Sequence, residues 1–152
     1  MFLCASFLPP SLDLVFSSKP HIFSHNIECI ERISKKVRTQ SNWKRSLNVL
    51  KYAVENKMTV KTGMMVGLGE TDEEVYKTMS EIASIGVKIF NIGQYLQPTS
   101  NNLKVQRYVT PESFKKYEEY GYEAGFDVVE SGPLVRSSYH ADKQARAFGL
   151  DC

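Results

Sequence analysis

Cysteine is scarce in this chain. Only three occur among 152 residues, Cys4, Cys29 and Cys152, and they lie far apart. An odd number at such spacing does not form the disulfide framework of a small secreted domain. No Cys/His pair has the spacing of a zinc site either. The cysteines indicate free thiols in a reducing compartment. We therefore expect a cytoplasmic protein, or an organellar one if an N-terminal segment is missing.

Long apolar runs and an excess of one charge are also lacking. No apolar run approaches the ~20 residues that a membrane-spanning helix needs. The apolar start contains no basic residue and is interrupted by Pro9 and Pro10, which argues against a secretory signal. The net charge is only +2, and we predict that the basic residues within 35–45 form a solvated helix face. We therefore expect neither a nucleic-acid nor a membrane partner.

What the chain does contain is an alternation of short apolar segments and amphipathic segments from residue 20 to residue 148. Residues 1–19 match no pattern and are unassigned or a misassigned start, although Leu12 to Phe16 fits the end of a helix or a short strand. Residues 149–152 form a tail. Strands are predicted at 22–23, 60–66, 87–92 and 126–129, and helices at 27–37, 43–54, 72–85 and 111–124. This alternation predicts α/β architecture with a parallel sheet.

Helix signals support these boundaries. Thr71 and Glu74 have the spacing of a capping box, and Gly86 ends the helix that follows. Ser41 or Asn42 can cap the helix before it. Thr110-Pro111 opens the last predicted helix. Residues 94–109 between two elements are too many for a simple connection, which indicates a functional loop.

Candidate site residues follow the predicted strands. His25 and Asn26 follow the first, Gly67 to Glu70 the second, and Gln94 the third. The carboxyl ends of parallel strands meet at one edge, where βα barrels have their active sites. The simpler alternatives are a tight turn at Gly67 and a hydrogen-bonded histidine. A phosphate loop is weakly indicated, because the third glycine and the Gly-Lys-Ser/Thr signature are missing.

The most unusual stretch is Gly132 to Ala141. A Gly-Pro break is followed by Arg136, Ser137, Ser138, Tyr139 and His140 in consecutive positions. This pattern indicates a segment that docks on the domain and delivers polar side chains to a site. An ordinary loop with a surface arginine is the alternative.

Gly132 to Ala141 resembles the C-terminal segment of lipoyl synthases, which are radical S-adenosylmethionine (SAM) enzymes with an Arg-Ser-Ser-Tyr signature. Three other stretches agree in order and spacing: His25 to Glu28, Gly63 to Thr71, and Ile92 to Pro98. The resemblance extends from residue 20 to residue 148. It implies a partial (βα) barrel of the radical SAM type, of which only the C-terminal βα units are present, with 132–142 as the cluster-ligand segment.

The resemblance also implies roles for individual residues. A serine of the signature ligates an auxiliary four-iron, four-sulfur (4Fe-4S) cluster; we expect Ser138 to be this ligand, with Ser137 as the fallback, and Arg136 and Tyr139 to support it. The positions that resemble SAM contacts are Asn26, Arg38, Met65, Gly67, Gly69, Glu70 and Gln94.

The reaction implied by the resemblance inserts two sulfur atoms into a protein-bound octanoyl chain. It uses two 4Fe-4S clusters and SAM. The implied partners are an octanoylated lipoyl carrier domain or glycine cleavage H protein, and an electron donor such as flavodoxin or ferredoxin. The loop at 94–109 is placed to help form the channel for the acyl chain or its carrier.

The sequence departs from the family in its cysteines. The family's two triads, Cys-x3-Cys-x2-Cys and Cys-x4-Cys-x5-Cys, are both absent. The chain thus resembles the C-terminal half only, and we expect it to be inactive alone. The alternatives are a non-catalytic fragment, a binding module for the octanoylated carrier domain, and a non-radical βα enzyme that binds a phosphate at the glycine turn.

Overall fold

The chain forms a parallel sheet with its strands in sequence order. A computed structural model describes residues 9–40 and 42–149. Its four-stranded sheet consists of β1 (Phe23–Ser24), β2 (Val60–Val66), β3 (Ile89–Gln94) and β4 (Val128–Gly132). Each strand pairs in parallel with the next one along the chain. This order is that of consecutive βα units, so the expected α/β fold class is confirmed.

Six helices accompany these strands in the described part of the chain. They are α1 (Pro9–Ser17), α2 (Glu31–Val37), α3 (Trp43–Glu55), α4 (Asp72–Ile85), α5 (Pro111–Ala124) and α6 (Ala141–Ala147). Helix α4 contacts α3 and α5, and these connecting helices form the outer layer. Within residues 9–40 and 42–149, no helix has the length and apolarity needed to cross a membrane.

The predicted helix caps are present. Thr71 accepts a hydrogen bond from the Glu74 amide, and the Glu74 carboxylate accepts one from the Thr71 amide. Thr110 accepts the Ser113 amide at the start of α5. Asn42 caps α3 through the amide of Arg45, while Ser41 lies outside the described residues. These caps fix where each helix leaves the carboxyl edge of the sheet.

The predicted helix at 27–37 is wrong in its first part, because α2 begins only at Glu31. The segment before it pairs with β2 instead: the amide of Ile27 donates to the Gly63 carbonyl, and the Met65 amide donates to the Glu28 carbonyl. Cys29 therefore lies outside the helix in which it was predicted. Ile27 and Ile30 have helical spacing because both are buried. An irregular segment that packs against a sheet can bury residues at the same spacing.

Two predicted strands are displaced toward the N-terminus by about two residues. The observed β3 is Ile89–Gln94 and β4 is Val128–Gly132. Val87 and Phe126 are buried although they precede these strands, and this burial caused the early prediction. Gln94 is thus the last residue of β3, and the long loop begins at Tyr95. Residues Leu12 to Phe16 belong to α1.

The two faces of the sheet differ in polarity. Strand residues alternate between faces, and the helical layer covers an apolar face that includes Val66, Phe90 and Ile92, each without exposed area. On the opposite face, Lys61 precedes Gly63 and Met65 in β2, and Gly63 is in register with Asn91 of β3. Residues 133–148, which we call the tail from here on, follow β4 and cover this polar face, as their contacts with Lys61 and Asn91 show.

Candidate functional site

A cleft of about 160 Å³ lies at the carboxyl edge of the sheet, between the strands and the tail. Its lining comes from the segment after β1, from β2 and β3, and from the tail: Asn26, Glu28, Gly63, Met64, Met65, Asn91, Gly93, Val135, Arg136 and Ser137. The strand ends and the tail, which lie far apart in the sequence, therefore meet at one place. This is the edge at which βα folds bind their ligands.

Asn26 presents an unsatisfied acceptor to this cleft. Its Oδ1 is buried and has no hydrogen-bond partner within the described chain. The atom lies over Gly63, only 3.3 Å from the point where a Cβ on that residue would stand. An unpaired buried acceptor costs about 1–3 kcal/mol. A ligand with a hydroxyl or ammonium donor would remove this cost, so Asn26 is suited to ligand binding.

Glu28 is a cleft residue that the sequence did not single out. Its backbone is in the left-handed region, with φ of 70°, a conformation that non-glycine residues rarely adopt outside constrained sites. Burial raises the pKa of its carboxyl, and Arg38 opposes this. The Arg38 Nη2 lies 3.1 Å from the Glu28 Oε1. Arg38 does not line the cleft; it holds Glu28 there.

His25 is a half-buried residue with a neutral imidazole. Burial, and then the nearby Arg38 charge, lower the pKa of His25 to about 4. The ring therefore carries no charge at neutral pH, and its Nε2 has no partner among residues 9–40 and 42–149. Its backbone carbonyl accepts the Thr62 hydroxyl proton at 2.7 Å. This environment does not suit a proton donor at neutral pH.

The glycine turn after β2 is closed by its own glutamate. The Glu70 carboxylate accepts hydrogen bonds from the amides of Gly67, at 2.6 Å, and Leu68, at 3.0 Å. The side chain is buried, with 4% of the residue exposed. The amides that a phosphate would bind are therefore occupied by a carboxylate. This observation argues against the phosphate-binding alternative.

Gln94 holds the long loop against the same turn. Its Nε2 donates to the carbonyl oxygens of Tyr95 and Arg107, and its Oε1 accepts from the Val109 amide. A Cβ on Gly67 would stand 2.3 Å from the Gln94 Nε2 and 2.6 Å from the Arg107 carbonyl. Only glycine fits there. The loop from residue 95 to residue 109 is thus anchored at both ends.

Of the residues predicted to contact a cofactor, Asn26 and Met65 line the cleft. Four others lie beside the cleft and not in its lining: Gly67, Gly69, Glu70 and Gln94. Gly69 contributes to a separate cleft of about 300 Å³ that also includes Lys36 and Lys104. Cofactor contact by any of these residues stays a prediction.

The tail contacts the sheet through its backbone. The Val135 carbonyl approaches Gly93 so closely that a Cβ there would stand 2.3 Å from its oxygen. The Asn91 Nδ2 donates to the Arg136 carbonyl at 3.0 Å. Arg136 and Ser137 therefore reach the cleft, while Ser138 and Tyr139 are exposed. The predicted ligand role of Ser138, with Ser137 as fallback, is not decided by this placement.

The described residues do not supply a metal-binding cluster of their own. Among residues 9–40 and 42–149, no three or more His, Cys, Asp or Glu side chains are grouped to hold a metal ion. Cys29 is 1% exposed, and burial is the main cause that raises the pKa of its thiol to about 12. Such a thiol is a poor metal ligand, because the thiolate is the binding form.

Comparisons with known proteins agree with this arrangement. The sequence model described as "Radical SAM superfamily" matches residues 2–82. The chain is 50% identical over 134 residues to a lipoyl synthase of Flavobacterium johnsoniae, covering 88% of this chain and 46% of that protein. It is 50% identical over 135 residues to one of Bacteroides fragilis, covering 89% of this chain and 47% of that protein.

A lipoyl synthase of Leptospira interrogans gives 48% identity over 134 residues, covering 88% of this chain and 44% of that protein. The chain thus spans about half the length of the curated relatives that it matches. The match over more than half of its residues, together with the parallel βα sheet, shows that the chain belongs to the radical SAM superfamily and that its relatives are lipoyl synthases.

Proposed function

We propose that the chain is the C-terminal portion of a lipoyl synthase, which inserts two sulfur atoms into a protein-bound octanoyl chain by radical SAM chemistry. One observation carries this proposal. Asn26 and Met65 at the strand ends, and Arg136 and Ser137 of the tail, surround a single cleft at the carboxyl edge of the sheet. These are residues of three of the stretches that resemble lipoyl synthases.

The lining of the cleft supports this proposal, because it offers contacts for both the polar and the apolar parts of SAM. The unpaired Asn26 Oδ1 and the Glu28 carboxylate are acceptors for hydroxyl or ammonium donors, and Met65 offers an apolar surface. We expect Arg38 to act by holding Glu28, given the 3.1 Å contact between their charged groups. When bound, SAM would supply the radical that removes hydrogen from the substrate. The residues of this chain would bind and orient it.

The 4Fe-4S clusters do not fit the residues described. Each requires three cysteines, and Cys29, the one cysteine in the described ranges, is buried and protonated. We therefore propose that this chain alone neither holds a stable cluster nor turns over. Its tail would contribute one serine to a cluster whose cysteines lie on residues that this sequence does not contain.

The proposed partners follow from the same function. An octanoylated lipoyl carrier domain or glycine cleavage H protein would present the acyl chain, and a flavodoxin or ferredoxin would supply electrons. The anchored loop at 95–109 exposes Leu96 and Tyr108 near the carboxyl edge of the sheet, which suits contact with an acyl chain or its carrier. A cytoplasmic location is part of this proposal.

A chimaera tests the function directly. Residues 20–152 would be joined to the part of the Flavobacterium johnsoniae lipoyl synthase that this chain does not match. We expect the chimaera to convert an octanoylated carrier to the lipoylated form, as measured by mass spectrometry, and to release deoxyadenosine from SAM. A chimaera that binds iron but never modifies the carrier would contradict the proposal.

Serine variants of the chimaera separate the two candidate ligands. Ser138→Ala should abolish sulfur insertion while SAM cleavage continues, whereas Ser137→Ala should retain insertion. Ser84→Ala, on the exposed side of α4, is the matched control. If Ser137→Ala alone abolishes insertion, the fallback assignment is correct, and the half-buried position of Ser137 in the cleft lining explains it.

The exposed Leu96 and Tyr108 of the loop at 95–109 favour a second candidate function, a binding module for the octanoylated carrier domain. This candidate predicts that the 152-residue chain binds octanoylated carrier more tightly than the unmodified carrier, in the absence of iron and SAM. Calorimetric titration with both carrier forms decides it. Equal or undetectable heats for the two forms would exclude this function.

A further inference from the structure

A lysine lies buried on the polar face of the sheet, where an apolar residue would be less costly. Only 4% of Lys61 is exposed. Burial lowers the pKa of its ammonium, and Glu130 partly opposes this. Burying an ammonium group with incomplete pairing costs free energy, and apolar residues of similar volume often stabilise such positions better. The lysine therefore has a role other than filling the core.

A series of hydrogen bonds connects Lys61 to the tail. Its Nζ donates a hydrogen bond of 2.5 Å to the Gln144 Oε1 of α6. The Gln144 Nε2 donates to the Asn91 Oδ1 at 3.2 Å and to the Tyr139 carbonyl at 3.3 Å. The Asn91 Nδ2 in turn donates to the Arg136 carbonyl at 3.0 Å. We call these three side chains, Lys61, Gln144 and Asn91, the relay.

The relay ends on two backbone carbonyls that flank the serine pair. Arg136 comes directly before Ser137, and Tyr139 comes directly after Ser138. The same Arg136 carbonyl also accepts the Tyr139 amide at 2.9 Å. The backbone around both serines is thus held from each side by a side-chain amide, that of Asn91 in β3 and that of Gln144 in α6.

The charge of Lys61 sets the orientation of the relay. An amide side chain can present either its oxygen or its nitrogen to a neighbour. Because an ammonium group only donates, the Gln144 oxygen must face Lys61, and its nitrogen must face Asn91 and Tyr139. The same reasoning then directs the Asn91 nitrogen to the Arg136 carbonyl. Aligned donors of this kind strengthen one another in a buried setting.

We propose that Lys61 is a positioning residue, which holds the Ser137–Ser138 pair at the cleft by orienting Gln144 and Asn91. The meaning of this position for sulfur insertion rests on the proposed function, but the positioning itself is a property of this chain. Lys61 is not among the residues that line the cleft, and its side chain donates to Gln144, so it acts through the relay.

Amide hydrogen exchange of the full 152-residue chain, followed by NMR, tests the proposal without cluster or SAM. The reporters are the amides of Tyr139 and Ala141, which donate to the carbonyls of Arg136 and Ser138. Lys61→Met removes the charge and keeps the length of the side chain. We expect exchange at both reporters to rise by about tenfold, as for a buried polar group that loses its charged partner, while β3 amides keep their protection.

Gln144→Glu separates the relay from simple packing. Its carboxylate keeps a partner for Lys61 but cannot donate to Asn91 or Tyr139, so the core contact remains and the tail contacts are lost. We expect faster exchange at the two reporters with unchanged protection in β3. Lys88→Met is the matched control, because the Lys88 side chain is 49% exposed and its ammonium is paired at the surface with Asp127. This variant should change neither the exchange of the two reporter amides nor the protection in β3.

If Gln144→Glu leaves the reporters as protected as in the parent chain, the proposal is overturned, even where Lys61→Met fails to fold. The outcomes also separate this proposal from the proposed function. An inactive chimaera with faster reporter exchange in Gln144→Glu refutes only the function. An active chimaera with unchanged reporter exchange refutes only the role of Lys61.

Discussion

The carboxylate of Glu70 accepts the backbone amide of Gly67 at 2.6 Å, three residues before it in the chain. This contact closes the turn after β2 from within. Its second oxygen accepts the Leu68 amide, so both oxygens of a buried carboxylate are engaged. The backbone amides of Gly67 and Leu68 are therefore not free to bind an anion.

Glu70→Gln should destabilise the chain, because one carboxylate oxygen is replaced by an NH2 group that faces a backbone N–H. We expect a loss of about 1–3 kcal/mol in the free energy of unfolding, measured by urea denaturation. Glu73→Gln, on an exposed residue in the first turn of the helix that follows Glu70, is the control and should change stability by less than ~0.5 kcal/mol. Equal effects of the two variants would show that Glu70 does not hold the turn.

Gly67→Ala and Gly69→Ala form a matched pair. Both residues have positive φ, 101° and 106°, and each alanine should cost roughly 1–2 kcal/mol for its backbone conformation. A Cβ at Gly67 would also stand 2.3 Å from the Gln94 Nε2, whereas the nearest atom at Gly69 is 3.5 Å away. We therefore expect Gly67→Ala to be clearly more destabilising in thermal unfolding. A reversed order would contradict the observed packing of Gln94.

His25 should make the stability of the chain depend on pH. In the unfolded chain the pKa of His25 is about 6.5, and in the folded chain burial lowers it to about 4. Between these values the unfolded state binds more protons. Stability is fully kept above the unfolded pKa and is lost as pH falls toward the folded pKa, by up to about 3 kcal/mol.

The measurement is urea unfolding at several pH values between these limits. His25→Gln should flatten the dependence, because no imidazole remains to be protonated at that position. His21→Gln changes an exposed histidine and should keep the parent slope. If His25→Gln keeps the full slope as well, the imidazole is not the group responsible.

Tyr117 should contribute to stability through its hydroxyl. Its ring is fully buried, and its hydroxyl donates to the Asp72 carboxylate. The Arg107 Nη2 contacts both of these residues. Tyr117→Phe leaves Asp72 and Arg107 without this partner, and we expect a loss of about 1–3 kcal/mol in chemical denaturation. Tyr108→Phe, at a residue 74% exposed, should have no measurable effect.

The regular features of the fold could be predicted because local chemistry determines them. The capping box of Thr71 and Glu74 and the Thr110-Pro111 start of α5 depend on residues within one helical turn. The start of α2 could not be predicted, since the spacing of Ile27 and Ile30 reports burial and not backbone conformation. Only the pairing of Glu28 with β2 shows that the residues before Glu31 are extended and not helical.

The sequence predicted that the strand ends meet, but not which residues line the cleft. His25, Asn26, Gly67 to Glu70 and Gln94 were expected at one edge of the sheet, and of these only Asn26 lines the cleft. The left-handed backbone of Glu28 and the burial of Lys61 give no signal in a single sequence. Both arise from contacts with residues distant in the chain, such as Gln144, which is 83 positions from Lys61.

That separation has a consequence for the order of folding. Each strand of the sheet pairs with the next one in the sequence, so the βα units can assemble by short loop closures, whereas the contact between Lys61 and Gln144 closes a loop of 83 positions. We expect the tail to dock after the sheet has formed. Substitutions at Gln144 should then accelerate unfolding in stopped-flow measurements and leave the refolding rate nearly unchanged.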